Sequence, residues 1–387
     1  MELCKENQYK NITEMKSSTC IRLLLFPIAG TLALLSLGGC GRDKRPSKEA
    51  VIKKADTADT TIVQAQERHH CNAVYHWKTT FDLNGAELEF LKDNDVQRMY
   101  VRFFDVDLDS SPMNDYVGII PIGTTSFKSA VPDSIEIVPT VFITTKAIMS
   151  LGGDKDTPSS LAKRIFTRAK NMASYNNLGQ IHEIQLDCDW TSSTQKTFYE
   201  VCKEVKSLAI KDSILVSATI RLHQLILDPP PVDRGVLMVY NTGAIRQTGT
   251  KNSILEVADV ESYLGRNVAS YKLPLDFAYP AFGWGVLFRG GSYQGILHHT
   301  DFSDTKYYAD NSDGTFRVIK DHFLEGHFLW TSDVIRLEYP SAEVVNTVAA
   351  LVSSKFEDYP HSTIIYHLDS QNLAKFKSNE IANIYSY

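Results

Sequence analysis

Eight short apolar runs, separated by longer segments with helical periodicity, are the feature of this sequence that most restricts its fold. Such alternation is typical of parallel strands joined by crossover helices. The runs predict strands at Ala73–Trp77, Arg98–Val106, Glu136–Thr144, Glu183–Trp190, Ile214–Ile220, Gly235–Tyr240, Leu275–Pro280 and Thr363–Leu368. The periodic segments predict helices at Asn84–Lys92, Ser159–Tyr175, Thr194–Ile210, Ser253–Gly265 and Ala342–Phe356, with Ser159 and Thr194 as N-caps.

This order predicts an α/β fold, a single TIM-barrel-like (β/α)8 domain over residues 71–387. An open doubly wound sheet is the alternative. No G-x-G-x-x-G or P-loop motif follows any predicted strand, so the barrel is preferred and no nucleotide cofactor is predicted. The long connection between the seventh and eighth strands includes a predicted hairpin at Val286–Ile296.

The leader is the most specific local signal. Lys16 and Arg22 precede the apolar run Leu23–Leu37, which is shorter than the roughly 20 residues of a membrane span. The run ends in Leu37-Gly38-Gly39-Cys40, which resembles the bacterial lipobox. The resemblance implies a lipoprotein signal peptide over residues 1–39, a lipid on Cys40 and a location in the bacterial cell envelope, periplasmic or surface-exposed. An ordinary secretory signal with a coincidental cysteine is the alternative.

Composition separates the rest of the chain into a tether and a body. Residues 40–70 are rich in Lys, Asp, Thr, Ala and Ser and poor in aromatics, which predicts a flexible tether. The net charge of −6 leaves no surplus of positive charge for a phosphate backbone, so a nucleic-acid partner is not expected. The body contains three cysteines, Cys71, Cys188 and Cys202, an odd number that does not suggest a disulfide scaffold.

Aspartates cluster where two predicted strands end. A period of two places Gln185, Asp187 and Asp189 on one face of the fourth strand, opposite Ile184, Leu186 and Cys188. On the second strand, Val101, Phe103, Asp105 and Asp107 are expected to share one face. In a barrel the carboxyl ends of the strands form the reaction centre, so four carboxylates are predicted at one mouth. The alternative is structural, with the carboxylates capping helices or pairing with Arg102 or Arg221.

Other strand ends carry groups that suit a sugar cleft, because aromatic faces stack on pyranose rings while polar groups bind hydroxyls. Asp276 joins the four aspartates as a candidate acid or base. The candidate substrate-binding residues are His76, Trp77, Arg221, Tyr240, Asn241, Tyr279 and Trp284.

Four segments resemble a family of uncharacterised bacterial lipoproteins with a predicted TIM barrel: residues 75–81, 100–107, 184–191 and 282–289. This resemblance implies a fold and a location but no activity. The fourth strand also has a distant likeness to family-eighteen chitinases, whose strand ends in D-x-x-D-x-D-x-E. Asp187 and Asp189 match the second and third aspartates, whereas Ile184 and Thr191 occupy the first position and that of the terminal acid. Without that proton donor, the likeness does not carry substrate-assisted hydrolysis over to this chain.

Two main hypotheses follow. The protein is either a glycoside-hydrolase-like enzyme that uses another carboxylate pair, or a non-catalytic barrel that binds glycan or a partner protein at the envelope. The separation of the two carboxylates would indicate retention at about 5 Å or inversion at roughly 6.5–9.5 Å. A metal-dependent hydrolase using His298, His299 and Asp301 is a weaker third hypothesis, and no metal site is predicted.

Overall fold

The computed structural model describes residues 70–109, 118–152, 156–265, 268, 271–356 and 360–387. Within these ranges, the eight predicted strands are present close to their predicted bounds, and we number them β1 to β8 in chain order. They are β1 Asn72–His76, β2 Val96–Leu108, β3 Glu136–Ile143, β4 Glu183–Asp187, β5 Leu215–Arg221, β6 Arg234–Met238, β7 Leu275–Pro280 and β8 Thr363–Tyr366.

The eight strands form a closed parallel barrel. Each strand pairs in parallel with its neighbour in chain order, from β2 with β3 through to β7 with β8. β1 pairs with both β2 and β8 and so closes the ring. An additional strand, Ile119–Ile122, lies antiparallel to the carboxyl half of β2. The TIM-barrel prediction is therefore confirmed, and the open-sheet alternative is excluded.

The helices of the structure are α1 Gly85–Asp93, α2 Thr145–Met149, α3 Pro158–Tyr175, α4 Gln195–Ala209, α5 Val257–Tyr263, α6 Ala342–Ser353, α7 Ser370–Leu373 and α8 Ser378–Tyr385. The sequence predicted α1, α3, α4 and α6 within a few residues. Single 3₁₀ turns lie at Ile210–Asp212 and Leu222–Ile226.

Helix starts show where the prediction was wrong. Thr157, not Ser159, caps α3 by accepting a hydrogen bond from the Ser160 N–H, because Pro158 takes the first helical position and has no N–H of its own. Thr194 does precede α4, but its hydroxyl accepts a hydrogen bond from the Thr191 N–H at 2.9 Å and does not cap the first turn of the helix. The helix predicted from Ser253 starts only at Val257, since the Ser253 N–H and hydroxyl both donate to Glu338.

The connection between β7 and β8 folds into a small subdomain with its own apolar cluster. The predicted hairpin is confirmed: Trp284–Arg289 pairs antiparallel with Ser292–Leu297. These strands belong to a five-stranded sheet completed by Val334–Glu338, Thr315–Val318 and Tyr308–Asp310. Short pairs also form between His322–Leu324 and His327–Leu329 and, beside the barrel, between Thr80–Phe81 and Ser126–Phe127.

The proposed leader, Cys40 and the tether up to residue 69 lie outside the described residues, so the structure leaves those predictions as they stand. Among the described residues, no helix has the length and hydropathy needed to cross a membrane. Cys71, Cys188 and Cys202 are all buried free thiols, in line with the absence of a disulfide scaffold.

Candidate functional site

Side chains of β4 alternate between the helix layer and the barrel interior, as the sequence predicts. Ile184, Leu186 and Cys188 are fully buried. Gln185 points into the barrel, where its Oε1 accepts hydrogen bonds from the Tyr75 hydroxyl at 2.7 Å and the Thr140 hydroxyl at 3.2 Å. The lumen below the mouth is therefore a closed hydrogen-bonded layer that supports whatever lies above it.

Asp187, one pleat above Gln185, lies in a network across β4 and β5. Its Oδ1 accepts hydrogen bonds from the Thr219 hydroxyl at 2.6 Å and from Nη2 of Arg221 at 3.2 Å. The Nε of Arg221 donates to Oδ1 of Asp189 at 2.5 Å. One guanidinium thus holds both aspartates of the pair, so the contact with Arg221 that the structural alternative predicts is present on this strand.

The electrostatics of Asp187 differ from those of an ordinary paired carboxylate. Burial raises its pKa to about 6 from 3.8, the Arg221 charge lowers it, and the negative charges of Asp189 and Asp105 raise it again. Desolvation is the largest of these effects, because water stabilises a carboxylate better than this nearly closed lumen does. Asp187 therefore exchanges a proton close to neutral pH.

The second strand, β2, is irregular near this network. A β-bulge between Arg102 and Phe104 inserts one residue, so Tyr100 and Arg102 share the inner face with Asp105. The ring of Tyr100 stacks on that of Tyr75 inside the barrel, with centroids 5.0 Å apart. The expectation that Val101 and Phe103 share a face with the two aspartates is therefore wrong, because the period of two is broken at Phe103.

Asp105 and Asp107 each have a local partner. Asp105 is almost fully buried, and both of its oxygens accept hydrogen bonds from the guanidinium of Arg102. Burial raises the pKa of Asp105, while Arg102 opposes this shift. Asp107 accepts a hydrogen bond from the Thr144 hydroxyl at 2.7 Å, and that hydroxyl in turn caps α2.

Aromatic rings form one wall of the mouth. Tyr366, at the end of β8, stacks on Tyr240 with centroids 4.8 Å apart. Trp77 lies 6.0 Å from Tyr366, and Phe282 lies 5.6 Å from it on another side. Trp77 and Tyr366 are only partly buried, so their faces remain available to a ligand. We call these four residues the aromatic wall.

Charge and aromatic surface meet at Arg102. Its guanidinium carbon lies 5.8 Å above the Trp77 ring while its nitrogens hold Asp105. Sequence reasoning missed Arg102, Tyr366 and Phe282 as members of the site. Tyr366 lies near the carboxyl end of the eighth predicted strand, Thr363–Leu368, which is the signal that would have identified it.

Asp276 does not belong to this group. It is the second residue of β7 and therefore lies at the amino end of the barrel, fully buried. The Ser362 N–H donates to its Oδ1 at 2.7 Å, and Nε of Arg234 lies 3.0 Å from its Oδ2. The prediction that Asp276 works with Asp187 is therefore not supported by its position.

His76 and Tyr279 point to the helix layer rather than into the lumen. His76 alternates with Tyr75 and packs against Phe81, 4.7 Å away. Burial lowers its pKa to about 3, so it stays neutral. Tyr279 shares its face with Phe277, which contacts Phe356 after α6. Neither is placed to touch a ligand in the mouth.

Trp284 and Asn241 lie at the edge of the site. The Nε1 of Trp284 donates to Oε2 of Glu338 at 2.8 Å, a contact between two paired strands of the inserted subdomain, and the Trp284 ring packs on Phe282. Asn241 is exposed with φ 57°, and its N–H donates to the Ile254 carbonyl. Trp284 thus supports the aromatic wall from behind.

Two further chemistries were considered from the sequence. In the described part of the chain, no group of three or more His, Cys, Asp or Glu side chains is arranged to hold a metal ion. Thr191, which occupies the position of the terminal acid, directs its hydroxyl to Ser193 at 2.8 Å within the turn before α4. The mouth therefore has a carboxylate pair and no acid at that third position.

No protein-family model matches the sequence, and no curated protein is similar to it. Solved structures with a related fold include the spore cortex-lytic enzyme SleL of Bacillus cereus, at 12% identity and TM-score 0.44, covering 83% of this chain and 75% of that one. The GH18 chitinase ChiB of Flavobacterium johnsoniae has 10% identity and TM-score 0.48, covering 82% and 94%. The Group IV chitinase of Ostrinia furnacalis has 7% identity and TM-score 0.48, covering 82% and 100%. A family-eighteen chitinase is thus among these structures, and we infer no activity from it.

Proposed function

We propose that the mouth of the barrel binds a carbohydrate chain. The observation that carries the proposal is the aromatic wall beside a floor of hydrogen-bonding charged groups. Pyranose rings present apolar C–H faces, which stack on aromatic side chains, and a rim of hydroxyls, which needs polar partners. Trp77 and Tyr366 are partly exposed, and Asp189 and Arg221, whose charges act on Tyr240 of the same wall, supply acceptor and donor.

Binding without hydrolysis agrees best with the contacts of the carboxylates. A glycosidase needs one carboxyl group as a proton donor and a second that is free to act as base or nucleophile. Here Asp189 and Asp187 share the guanidinium of Arg221, and Asp105 is held on both oxygens by Arg102. Each ion pair lowers the basicity and restricts the movement of the carboxylate it holds.

Hydrolysis is the second candidate, and one observation favours it. The pKa of Asp187 is raised to about 6, near the value expected of a general acid that works close to neutral pH. Its Oδ2 accepts no hydrogen bond from the described residues. Asp187 is therefore the residue that we expect to donate the proton if the protein cleaves its ligand.

The experiment is titration calorimetry of the protein with a panel of soluble oligosaccharides that differ in sugar and linkage. We expect at least one to bind, and Trp77→Ala to weaken that binding by about tenfold or more, because stacking area is lost. Trp330→Ala is the matched control, since this tryptophan is 53% exposed on the inserted subdomain, away from the aromatic wall.

Three outcomes separate the candidates. If no oligosaccharide binds, or Trp77→Ala binds as tightly as the parent, the binding proposal is wrong. Mass spectrometry of the same mixtures detects cleavage. If products form and Asp187→Asn slows their release by about 10²-fold or more, hydrolysis replaces simple binding as the function.

We also propose that the barrel is held at the cell envelope by a lipid on Cys40. The support is the position of Leu37-Gly38-Gly39-Cys40 directly after the apolar run of the leader. In a bacterial host fed a labelled fatty acid, we expect the label in the full-length chain and the chain in the membrane fraction. Cys40→Ser should lose both, whereas Cys20→Ser, within the leader, should keep both. Equal labelling of the two variants would refute the anchor.

A further inference from the structure

The charges around the mouth do not cancel. Among the described residues, two guanidinium groups face four carboxylates there, which leaves two net negative charges when all are ionised. The guanidinium groups belong to Arg102 and Arg221, and the carboxylates to Asp105, Asp107, Asp187 and Asp189.

Two nearby groups that could supply positive charge, Lys78 and His223, do not compensate for this excess. Lys78 is paired with two carboxylates, Glu87 at 2.8 Å and Asp369 at 3.0 Å. These three side chains together carry a net negative charge. His223 lies close enough to feel the charges of Arg221 and Asp189, and burial lowers its pKa, which keeps it neutral at pH 7. The tyrosines that face Asp187, Tyr75 and Tyr240, have raised pKa values and stay neutral as well.

One oxygen in this negative region is without a donor. Asp187 is only 3% exposed, and both hydrogen bonds it receives from the described residues end on Oδ1. Protein atoms do not enclose Oδ2 completely, so this oxygen keeps contact with the lumen. An ionised carboxylate oxygen that is largely shielded from water and receives no hydrogen bond raises the free energy of the protein. A ligand that donates a hydrogen bond to this oxygen removes that penalty and binds more tightly as a result.

We propose that the saccharide bound in the mouth carries a protonated primary amine, and that Asp187 and Asp189 bind this ammonium group. This inference rests on the proposed carbohydrate-binding function and specifies its ligand. An ammonium group supplies both the missing hydrogen-bond donor for Oδ2 and a positive charge for the acidic mouth.

The aromatic wall is compatible with the same ligand. Tyr240 and Tyr366 are close to the Asp187 and Arg221 network, and the faces of aromatic rings attract a cation placed above them. A hydroxyl or an acetylated amine at the same position of the sugar donates a hydrogen bond but brings no charge. The geometry therefore predicts selectivity among sugars that differ only in that substituent.

The test uses three oligomers of equal length and the same β-1,4 linkage, made of glucose, N-acetylglucosamine or glucosamine. Calorimetry is performed at about pH 7, where Asp187, with its pKa of about 6, is mostly ionised and a sugar amine still carries a proton. We expect the glucosamine oligomer to bind about tenfold or more tightly than the other two. Raising the ionic strength should weaken only the glucosamine complex, because salt screens the charge pair.

Variants identify the residues responsible. Asp187→Asn and, independently, Asp189→Asn should each reduce the ratio of glucosamine to glucose affinity toward one. Asp212→Asn is the matched control, because this aspartate is 40% exposed in a surface ion pair with Lys170 and should leave the ratio unchanged. Two variants are used so that a failure of either one to fold does not remove the test.

The outcomes distinguish this inference from the function on which it rests. Binding of the neutral or acetylated oligomer with equal or higher affinity overturns the ammonium proposal and leaves carbohydrate binding intact. A glucosamine preference that survives both substitutions overturns the assignment to Asp187 and Asp189. Absence of binding by all three oligomers and by the wider panel overturns both proposals.

Discussion

Each end of the barrel contains a buried aspartate paired with an arginine of a neighbouring strand, but the two aspartates differ in how many of their oxygens are engaged. At the amino end, Arg234 on β6 meets Asp276 on β7, and the second oxygen of that carboxylate is occupied by the Ser362 N–H just before β8. At the carboxyl end, Arg221 on β5 meets Asp187 on β4, and one oxygen of that carboxylate receives no hydrogen bond from the described residues. Both aspartates are almost completely buried.

This difference distinguishes a purely structural contact from a position that can bind a ligand. A buried carboxylate whose two oxygens are both engaged by the protein offers no open oxygen to a ligand, and the Asp276 carboxylate links three strands together. A buried carboxylate with one open oxygen, a shared guanidinium and a pKa raised to about 6 is only partly compensated. Incomplete compensation of a buried charge is typical of ligand-binding and catalytic positions.

The largest effect is expected at the amino end. Asp276→Ala should lower the free energy of unfolding by about 3–5 kcal/mol, because it leaves Arg234, whose side chain is only 13% exposed, without its counter-charge. It also removes the acceptor for the Ser362 N–H, so the pairing of β7 with β8 weakens. Chemical denaturation followed by circular dichroism measures the loss.

The control for that prediction is the exposed pair of Lys170 with Asp212, whose side chains are 44% and 40% exposed. Asp212→Ala should change the free energy of unfolding by only about 0–1 kcal/mol. If Asp276→Ala is as stable as Asp212→Ala, the amino-end pair does not hold the strands together, and the contrast between the two ends disappears.

The sequence was informative about the fold because short apolar runs alternate with segments of helical periodicity along the body of the chain. On β4 a period of two assigned Asp187 correctly to the inner face, and Asp189, two residues past the end of the strand, shares the Arg221 guanidinium with it. On β2 the same reasoning was wrong, because the bulge between Arg102 and Phe104 changes the face within the strand and no residue type marks it.

The position of a residue along the barrel axis was harder to predict than the face it occupies. Asp276 was grouped with the mouth although it is the second residue of its strand. Its partner Arg234 is 42 positions away, and only the parallel register of β6 and β7 brings the two together. Partner choice across strands depends on register, which hydrophobic period alone does not determine.

The last prediction concerns the mouth, where the effect is smaller and depends on pH. The pKa of Asp187 is higher in the folded protein, about 6, than its ordinary value of 3.8, so the fold binds this proton more tightly than the unfolded chain does. Its contribution to stability is therefore complete below about pH 4 and is lost as pH rises through about 6. Compared with Asp187→Asn, whose side chain stays neutral, the parent protein should lose on the order of 2–3 kcal/mol between pH 4 and pH 7. Denaturation of both chains at each pH measures this difference, in which the contributions of all other titrating groups cancel. A constant difference across that range would mean that Asp187 is as well compensated as Asp276, and the mouth would then be a second structural contact rather than a binding site.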